Sequence, residues 1–486
     1  MELKRKVLKA AFWVSLSSII SRIATILATL ILARLLMPLD FGMVAIAALI
    51  TSAIGLFREL GLSRTLIVQK ENLDSVSNTV FYLLIVWNLL LYSVVFLSAP
   101  LLAGFFKDAA LVPVIRVMTL SLLIAAFGEV PFALWEREMA FKRVATSDVI
   151  NLVTYSILSV VLAYDGFGYW SIIYGTLIGE GARVLFVWTL TQWRPRFLFT
   201  FSLSKEVVRF GGSLTGIGIV NYLIRNIDDT FVGRLLGLVS LGHYNFAYRI
   251  ANVPATNITN VIGRIMFPAY SQISEHTFDL RNAFNKTFYF TAMATIPLSL
   301  MIIVFIPDFF HLFYGNKWDT AILPVQILVV FGLIRSLGSG MGGIFLALKR
   351  PEIMLKISSV QLLILTVFLY PVTLYWGVAG VSVLTTICIL YSFTHNYIHL
   401  KRILGHSLSD ILKPITIFSA TSIGSLIISA IFISSLFSIE SDTFTFFSKI
   451  LITAIIYTSI TIISNANLRQ LLRDTFKGMF TPFKTP

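Results

Sequence analysis

Charged side chains inside long apolar segments are the residues of this sequence whose types and positions could do chemistry. Arg22 lies in the middle of the first apolar run, and Ser15, Ser18, Thr25 and Thr29 recur at helical spacing on the same face. A charge in lipid is costly, so it is expected to face a cavity or a partner. No acidic residue lies one helical turn from Arg22. Its partner would therefore come from another helix or from an anionic ligand.

Three further arginines share this setting and complete the set of predicted substrate-binding residues. Arg249 also has no acidic residue one turn away, whereas Arg225 is followed at helical spacing by Asp228 and Asp229, which could neutralise it. Arg335 lies in the glycine-rich stretch GLIRSLGSGMGG, where the glycines could instead serve close helix packing or bending. The predicted substrate-binding residues are Arg22, Arg225, Arg249 and Arg335.

A second set of intramembrane charges has two open interpretations, ion coupling or structural ion pairs. The members are Asp228, Asp229, Glu129, Glu180 and Arg183. Glu180 and Arg183, three residues apart, are most simply an ion pair. Glu129 precedes Pro131 and could reach water near the cytoplasmic end of its helix. No P-loop is present, and the six histidines form no metal-ligand pattern, so we predict neither cofactor nor metal.

The elements that must position these residues are membrane-spanning helices. Of the 486 residues, 57% are hydrophobic and only 13% are charged, which excludes a soluble globular enzyme. A spanning helix needs about 20 apolar residues. Such windows occur near 12–33, 41–60, 78–98, 112–133, 146–164, 167–190, 210–233, 241–262, 286–306, 321–347, 356–375, 377–399, 414–436 and 448–465. We therefore predict an all-α integral membrane protein with about fourteen spans.

Lysine and arginine are distributed unevenly between the two sides of these spans. With the N-terminus in the cytoplasm, the cytoplasmic ends and loops hold 27 of the 38 basic residues, and the opposite side holds 6. Basic residues are enriched on the cytoplasmic side of membrane proteins. The distribution therefore predicts that both termini are cytoplasmic. It also accounts for the net charge of +14 without a nucleic-acid partner.

An internal repeat relates residues that lie 200 positions apart. The aligned residues are Arg34, Leu35, Leu36, Gly42, Ala47 and Arg64 with Arg234, Leu235, Leu236, Gly242, Ala247 and Arg264. This shift contains six spans, an even number, so both copies would have the same orientation. We predict two parallel six-helix bundles at 1–200 and 201–405, followed by two further helices and a cytoplasmic tail at 406–486. Coincidence in a leucine-rich sequence is the alternative.

Five segments at helix ends carry a family resemblance. They are ARLLMPLDFGMVAIA (33–47), FRELGLSRTLIVQ (57–69), EREMAFKRVATSDV (136–149), GRLLGLVSLGHYNFAYRIANVP (233–254) and GNKWDTAILPVQIL (315–328). Through them the chain resembles the polysaccharide-transport branch of the multidrug/oligosaccharidyl-lipid/polysaccharide exporter superfamily, in particular Wzx-type flippases of the colanic-acid-like exopolysaccharide group. The resemblance covers about residues 5–400. These motifs are structural turns, so they specify the family better than the substrate.

The resemblance implies a flippase of the bacterial inner membrane that moves undecaprenyl-pyrophosphate-linked oligosaccharide units for exopolysaccharide or O-antigen biosynthesis. It would not be an enzyme and could act as a monomer. Its expected partners are the lipid-linked oligosaccharide, membrane lipids, and polysaccharide polymerase and chain-length proteins. A drug or cation antiporter of the same superfamily is the alternative, although its cavity should favour carboxylates. A membrane-embedded polymerase or glycosyltransferase is remote, because it would need a larger loop.

Overall fold

The computed structural model describes residues 2–58, 66, 72–197, 219–220, 222–254, 266, 269–436 and 443–464. Its helices are α1 (Glu2–Leu35), α2 (Pro38–Gly55), α3 (Leu73–Phe105), α4 (Leu111–Arg137), α5 (Phe141–Tyr164), α6 (Trp170–Leu190), α7 (222–236), α8 (Leu238–Ala251), α9 (Thr277–Tyr314), α10 (Asp319–Ala347), a segment Pro351–Leu404 that forms α11 and α12, α13 (Leu408–Leu436) and α14 (Thr443–Ser464). The described residues contain no strand, which confirms the all-α class. Arg64 and Arg264 of the predicted repeat lie outside the described residues.

Every predicted span overlaps one of these helices. Within the described residues, eight segments are long and apolar enough to cross a membrane, and two of them, Thr277–Ala347 and Pro351–Leu404, are longer than one crossing requires. Helices suit this environment because all their backbone hydrogen bonds are made within the segment. The exact number of crossings stays a prediction.

Glycines divide both of these long segments. Gly377 has φ 57° and ψ −148°, so Pro351–Leu404 separates into α11 (351–376) and α12 (378–404). An unbroken helix of 54 residues would be about 80 Å long, far more than the roughly 30 Å of a hydrocarbon core. Gly315 has φ 63° and follows α9, with one turn of 3-10 helix leading into α10. Both glycines occupy positive φ, which other residues rarely adopt.

The chain forms two compact units, which are described separately. The first contains residues 1–246 and 362–381, and the second contains 247–361 and 382–486. The predicted division at residues 200 and 405 stays a prediction, because its first boundary falls in 198–218, outside the described residues.

Helices α2 and α8 cross closely in the first unit, and the crossing is reciprocal. A methyl group on Gly42 would overlap the backbone carbonyl of Leu238, and one on Gly242 would overlap the backbone carbonyl of Pro38. Both pairs are related by the shift of 200 residues, since Pro38 begins α2 and Leu238 begins α8. Glycine permits this approach because it has no side chain. The reciprocity is what a local two-fold relation between these two helix ends would produce.

In the second unit, the last two helices pack on α9. The Tyr457 hydroxyl donates a hydrogen bond to the Met293 carbonyl at 2.6 Å, and Arg281 Nη2 donates to Asp410 Oδ2 at 2.7 Å. His406, in the link between α12 and α13, contacts Asn285 Oδ1 through Nε2 at 2.5 Å. Burial lowers the pKa of His406, although the neighbouring carboxylate of Asp410 acts in the opposite direction. These contacts attach the C-terminal helices to this unit.

Candidate functional site

A polar cavity lies between α1 and α5 in the first unit. Its volume is about 420 Å³, and its lining residues are Ser17, Ser21, Arg22, Asp148, Asn151 and Leu152. This volume is typical of small-molecule sites. On each helix the lining residues, at positions 17, 21 and 22 of α1 and 148, 151 and 152 of α5, span less than two turns, so each helix contributes one short face. The cavity therefore brings a guanidinium and a carboxylate together between two apolar helices.

The polar stripe that the sequence predicts around Arg22 is partly satisfied within α1. Thr25 Oγ1 donates to the Ser21 carbonyl, and Thr29 Oγ1 donates to the Thr25 carbonyl, both at 2.8 Å. Threonine hydroxyls within helices commonly donate to the backbone carbonyl four residues earlier. The hydroxyl protons of these two threonines are therefore already engaged within α1. Arg22, half-buried, is the residue of this stripe that carries a charge to the cavity.

Glu180 and Arg183 on α6 interact with each other and, through Glu180, with the cavity residue Asn151. Arg183 Nη1 is 3.3 Å from Glu180 Oε1, and Asn151 Nδ2 donates to Glu180 Oε2 at 2.6 Å. The Arg183 guanidinium also lies over the Phe132 ring, 4.5 Å from its centroid. Asn151 therefore connects the cavity to an ion pair whose charges cancel.

Glu129 is buried on α4 and pairs with an arginine distant in sequence. Arg58 Nη2 donates to Glu129 Oε1 at 2.6 Å, and only 6% of the Glu129 side chain is exposed. Arg58 lies three residues beyond the end of α2 at Gly55, so the pair connects this end of α2 to α4 within the first unit. The structure thus gives Glu129 a positive partner rather than open water.

On α7, Asp228 and Arg225 lie in different environments. Asp228 is buried, and its carboxylate accepts hydrogen bonds from the Tyr244 hydroxyl at 2.5 Å and from the Asp229 backbone N–H at 3.0 Å. Arg225 is exposed, and within the described residues it forms no ion pair with Asp228 or Asp229. The neutralisation of Arg225 that the spacing suggested is therefore not seen in this part of the chain.

The two remaining predicted arginines belong to the second unit. Arg249 is exposed near the end of α8. Arg335 Nη1 donates to Asn252 Oδ1 at 3.1 Å, and a methyl group on Gly332 would overlap the Ala251 backbone carbonyl. The glycines near Arg335 thus do permit close packing. Arg22 and Arg225 belong to the other unit, so the common cavity predicted for these arginines stays a prediction.

Asp148 and Asn151 are cavity residues that the sequence analysis did not select. Asp148 lies two turns from the start of its helix, close in sequence to Lys142 and Arg143. The available signal was spacing: Asp148, Asn151 and Tyr155 recur at three and four residues. Among the described residues, no group of three or more His, Cys, Asp or Glu could hold a metal ion.

Comparison with known proteins decides the family. The model of the family described as "Polysaccharide biosynthesis protein" matches residues 31–323, more than half of the chain. The chain belongs to this family. The resemblance that the helix-end motifs indicated is thereby confirmed.

Several curated proteins are similar along most of the chain. The lipopolysaccharide biosynthesis protein WzxC of Escherichia coli is 25% identical over 439 residues, which cover 88% of both chains. The teichuronic acid biosynthesis protein TuaB of Bacillus subtilis is 24% identical and covers 78% of both chains. The succinoglycan biosynthesis transport protein ExoT of Rhizobium meliloti is 24% identical, covering 60% of this chain and 59% of its own.

Solved structures show the same fold. The lipid II flippase MurJ, in an inward closed conformation, has a TM-score of 0.75 at 16% identity, covering 94% of this chain and 99% of its own. An inward-facing multidrug resistance MATE family transporter has a TM-score of 0.61 at 17% identity, covering 80% of this chain and 96% of its own. The protein is therefore an all-α, multi-pass membrane protein with the fold of these transporters.

Proposed function

We propose that this protein is a flippase that moves undecaprenyl-pyrophosphate-linked oligosaccharide units across the bacterial inner membrane for surface polysaccharide biosynthesis. The observation that carries the proposal is a polar cavity containing Arg22 inside a helical membrane protein of the polysaccharide biosynthesis family. The names of its relatives, which refer to polysaccharide biosynthesis and transport, support it. This function needs no catalytic residue.

The physical problem is to move a polar glycan and a pyrophosphate across about 30 Å of hydrocarbon. A polar cavity shelters the head group while the lipid tail remains in the bilayer. In alternating access, one part of the transporter rocks against another, so that a fixed site opens to each side in turn. Transport then depends on how well the cavity replaces the hydration of the head group.

Arginine suits the pyrophosphate because its planar guanidinium makes paired, charge-assisted hydrogen bonds to phosphate oxygens. The proposed pyrophosphate-binding residues are Arg22, Arg225, Arg249 and Arg335. Arg22 lines the cavity, and Arg225 and Arg249 are exposed on adjacent helices of the sequence. The Arg335 hydrogen bond to the neutral Asn252 leaves its charge uncompensated by that contact.

The finer features of location and partnership belong to the same proposal. Both termini would lie in the cytoplasm, where the lipid-linked unit is assembled, as the excess of basic residues indicates. The flipped unit would pass to a polysaccharide polymerase and chain-length proteins on the opposite side. The flippase itself could act as a monomer.

Removal of the Arg22 charge tests this function. In proteoliposomes containing a lipid-linked oligosaccharide, Arg22→Ala is expected to lower substrate affinity about tenfold or more, because a lost charge-assisted hydrogen bond contributes about 1.5–3 kcal/mol. Arg22→Lys should recover only part of the loss, since an ammonium group lacks the planar fork. The measurement is the rate at which labelled substrate reaches the opposite leaflet, at several substrate concentrations.

Arg196→Ala is the matched control, because the Arg196 side chain is exposed outside the helices and lies 3.9 Å from Asp74, while its backbone N–H, which alanine keeps, donates to Asn78. It should transport at the wild-type rate. Wild-type transport by Arg22→Ala would contradict the assigned role of Arg22. Transport of a cationic dye in place of any lipid-linked oligosaccharide would favour the antiporter instead.

A further inference from the structure

We propose that Asp148 forms a sugar-binding subsite that recognises the first sugar of the glycan, the one bonded directly to the pyrophosphate. The inference rests on the proposed function and adds a ligand to one side of the cavity. It starts from the presence of Asp148 and Arg22 in the lining of the same cavity of about 420 Å³.

The Asp148 carboxylate faces this cavity without a hydrogen bond or a direct ion pair among the residues that the structure describes. Asp148 is exposed, and the described chain gives it neither a hydrogen bond nor an ion pair. Two other acidic residues of this unit differ from Asp148. Glu180 accepts a hydrogen bond from Asn151 and forms an ion pair with Arg183. Glu129 forms an ion pair with Arg58. A carboxylate inside an apolar helix is costly unless water or a ligand solvates it. Asp148 is thus placed to accept hydrogen bonds from whatever enters.

The lining offers hydrogen-bonding groups that match a sugar ring. An ionised aspartate only accepts hydrogen bonds, an arginine only donates them, and the hydroxyls of serine residues do both. Sugar hydroxyls also donate and accept, so they can bind Asp148, Arg22 and Ser21 together. A phosphate at the position of the sugar would offer only acceptors, and the Asp148 carboxylate would repel it.

The charges indicate which part of the head group reaches this side. Arg22 and Asp148 have opposite charges, and the Glu180–Arg183 pair that contacts the lining residue Asn151 is neutral as a unit. A cavity whose positive and negative charges balance in this way favours a neutral glycan over a free dianion. Because the first sugar is bonded to the pyrophosphate, Arg22 can contact the phosphate while Asp148 contacts the sugar beside it.

The test compares lipids with and without that sugar. The probes are undecaprenyl pyrophosphate and undecaprenyl pyrophosphate carrying glucose, galactose or N-acetylglucosamine, and binding is measured on the full-length protein in detergent. The wild type should bind at least one sugar-bearing probe more tightly than the bare lipid. Asp148→Ala should weaken that sugar-bearing probe about tenfold and leave the bare lipid unchanged or bound more tightly. Arg22→Ala should weaken both.

Asp165→Ala is the matched control, because Asp165 is an exposed aspartate just beyond the end of the same helix. It should bind all probes like the wild type. The unfolding temperatures of the Asp148 variants identify any loss caused by misfolding, and Asp148→Asn provides a second variant of nearly the same shape, expected to lose less affinity than alanine.

Three results would overturn the subsite, and a fourth would contradict the proposed function instead. Equal weakening of bare and sugar-bearing lipids by Asp148→Ala would mean that Asp148 does not contact the sugar. Unchanged binding with loss of the pH or sodium dependence of transport would make Asp148 an ion-coupling group. A wild type that binds every lipid equally would also exclude the subsite. A wild type that binds none of them would contradict the flippase function itself.

Discussion

Three carboxylates of the first unit, on α4, α5 and α6, lie in two kinds of environment. Glu129 and Glu180 each accept a hydrogen bond from an arginine, whereas Asp148 faces a cavity. A carboxylate that is paired with an arginine must lose that contact before it binds another ligand. Asp148 needs no such rearrangement. Asp148 is therefore more available to bind a ligand than either glutamate.

The ion pair between Arg58 and Glu129 is expected to be structural. Arg58→Met should lower the free energy of unfolding by about 3 kcal/mol, because it removes a positively charged partner from the buried Glu129 carboxylate. The double variant Arg58→Met, Glu129→Met should recover most of this loss, since apolar side chains of similar size often replace a buried pair without cost. Thermal or denaturant unfolding in detergent measures both effects.

Arg196→Met is the control for this prediction, because its contact with Asp74 is exposed and should contribute less than about 1 kcal/mol. An Arg58→Met protein as stable as the wild type would show that the pair is not structural. Loss of transport in a stable double variant would instead give Glu129 a role in ion coupling.

Sequence distance explains which of these contacts could be predicted. Glu180 and Arg183 are three residues apart on one helix, so their ion pair follows from helical geometry. Arg58 and Glu129 are separated by 71 positions, and their pairing depends on how two helices pack. Asp148 was missed for a related reason, because a charge near a helix end looks interfacial until the neighbouring helix is known.

Among the helices, α2 and α8 show how far a repeat in the sequence can be interpreted. Their starts, Pro38 and Leu238, lie 200 residues apart, as do the crossing glycines Gly42 and Gly242. The shift could be found from the sequence, but the contact between the two helices could not. Likewise, the apolar windows placed a boundary near residue 376, and the structure shows that Gly377 makes the break there.

The α2–α8 crossing should not tolerate a methyl group. Alanine is the better helix former, so Gly242→Ala would stabilise an isolated helix by up to about 1 kcal/mol. In this protein it should instead destabilise by about 1–3 kcal/mol, because the added carbon overlaps the Pro38 carbonyl and forces the helices apart. Gly42→Ala should behave alike, since its methyl group would meet Leu238. The measurement is the unfolding temperature in detergent.

Gly424→Ala in α13 is the control, because a methyl group there would meet no atom within 4 Å. It should be neutral or slightly stabilising. If all three variants had the same unfolding temperature, the close crossing of α2 and α8 would be contradicted. An effect at only one of the two crossing glycines would argue against a reciprocal contact.

At the scale of the whole molecule, the amino-acid composition predicts the fold class better than it predicts how the helices pack. Few charges and long apolar runs require a helical membrane protein, and the fold shared with MurJ agrees. The cavity between α1 and α5 depends on the packing of helices more than 100 residues apart, which no periodicity reveals. The orientation in the membrane is different, because it depends on where the basic residues lie and can be tested directly.

Accessibility of single cysteines is the last prediction, and it tests the orientation. The chain has one cysteine, Cys388, which is buried, so Cys388→Ala provides a cysteine-free background. In intact cells, a membrane-impermeant maleimide should label cysteines at Lys107 and Lys317 but not at Lys142, Lys356 or Lys401. Permeabilised cells should label all five, which controls for reactivity. The physical reason is that basic loops are retained in the cytoplasm. Labelling of Lys142, Lys356 or Lys401 in intact cells would mean that the number of spans before that site is wrong.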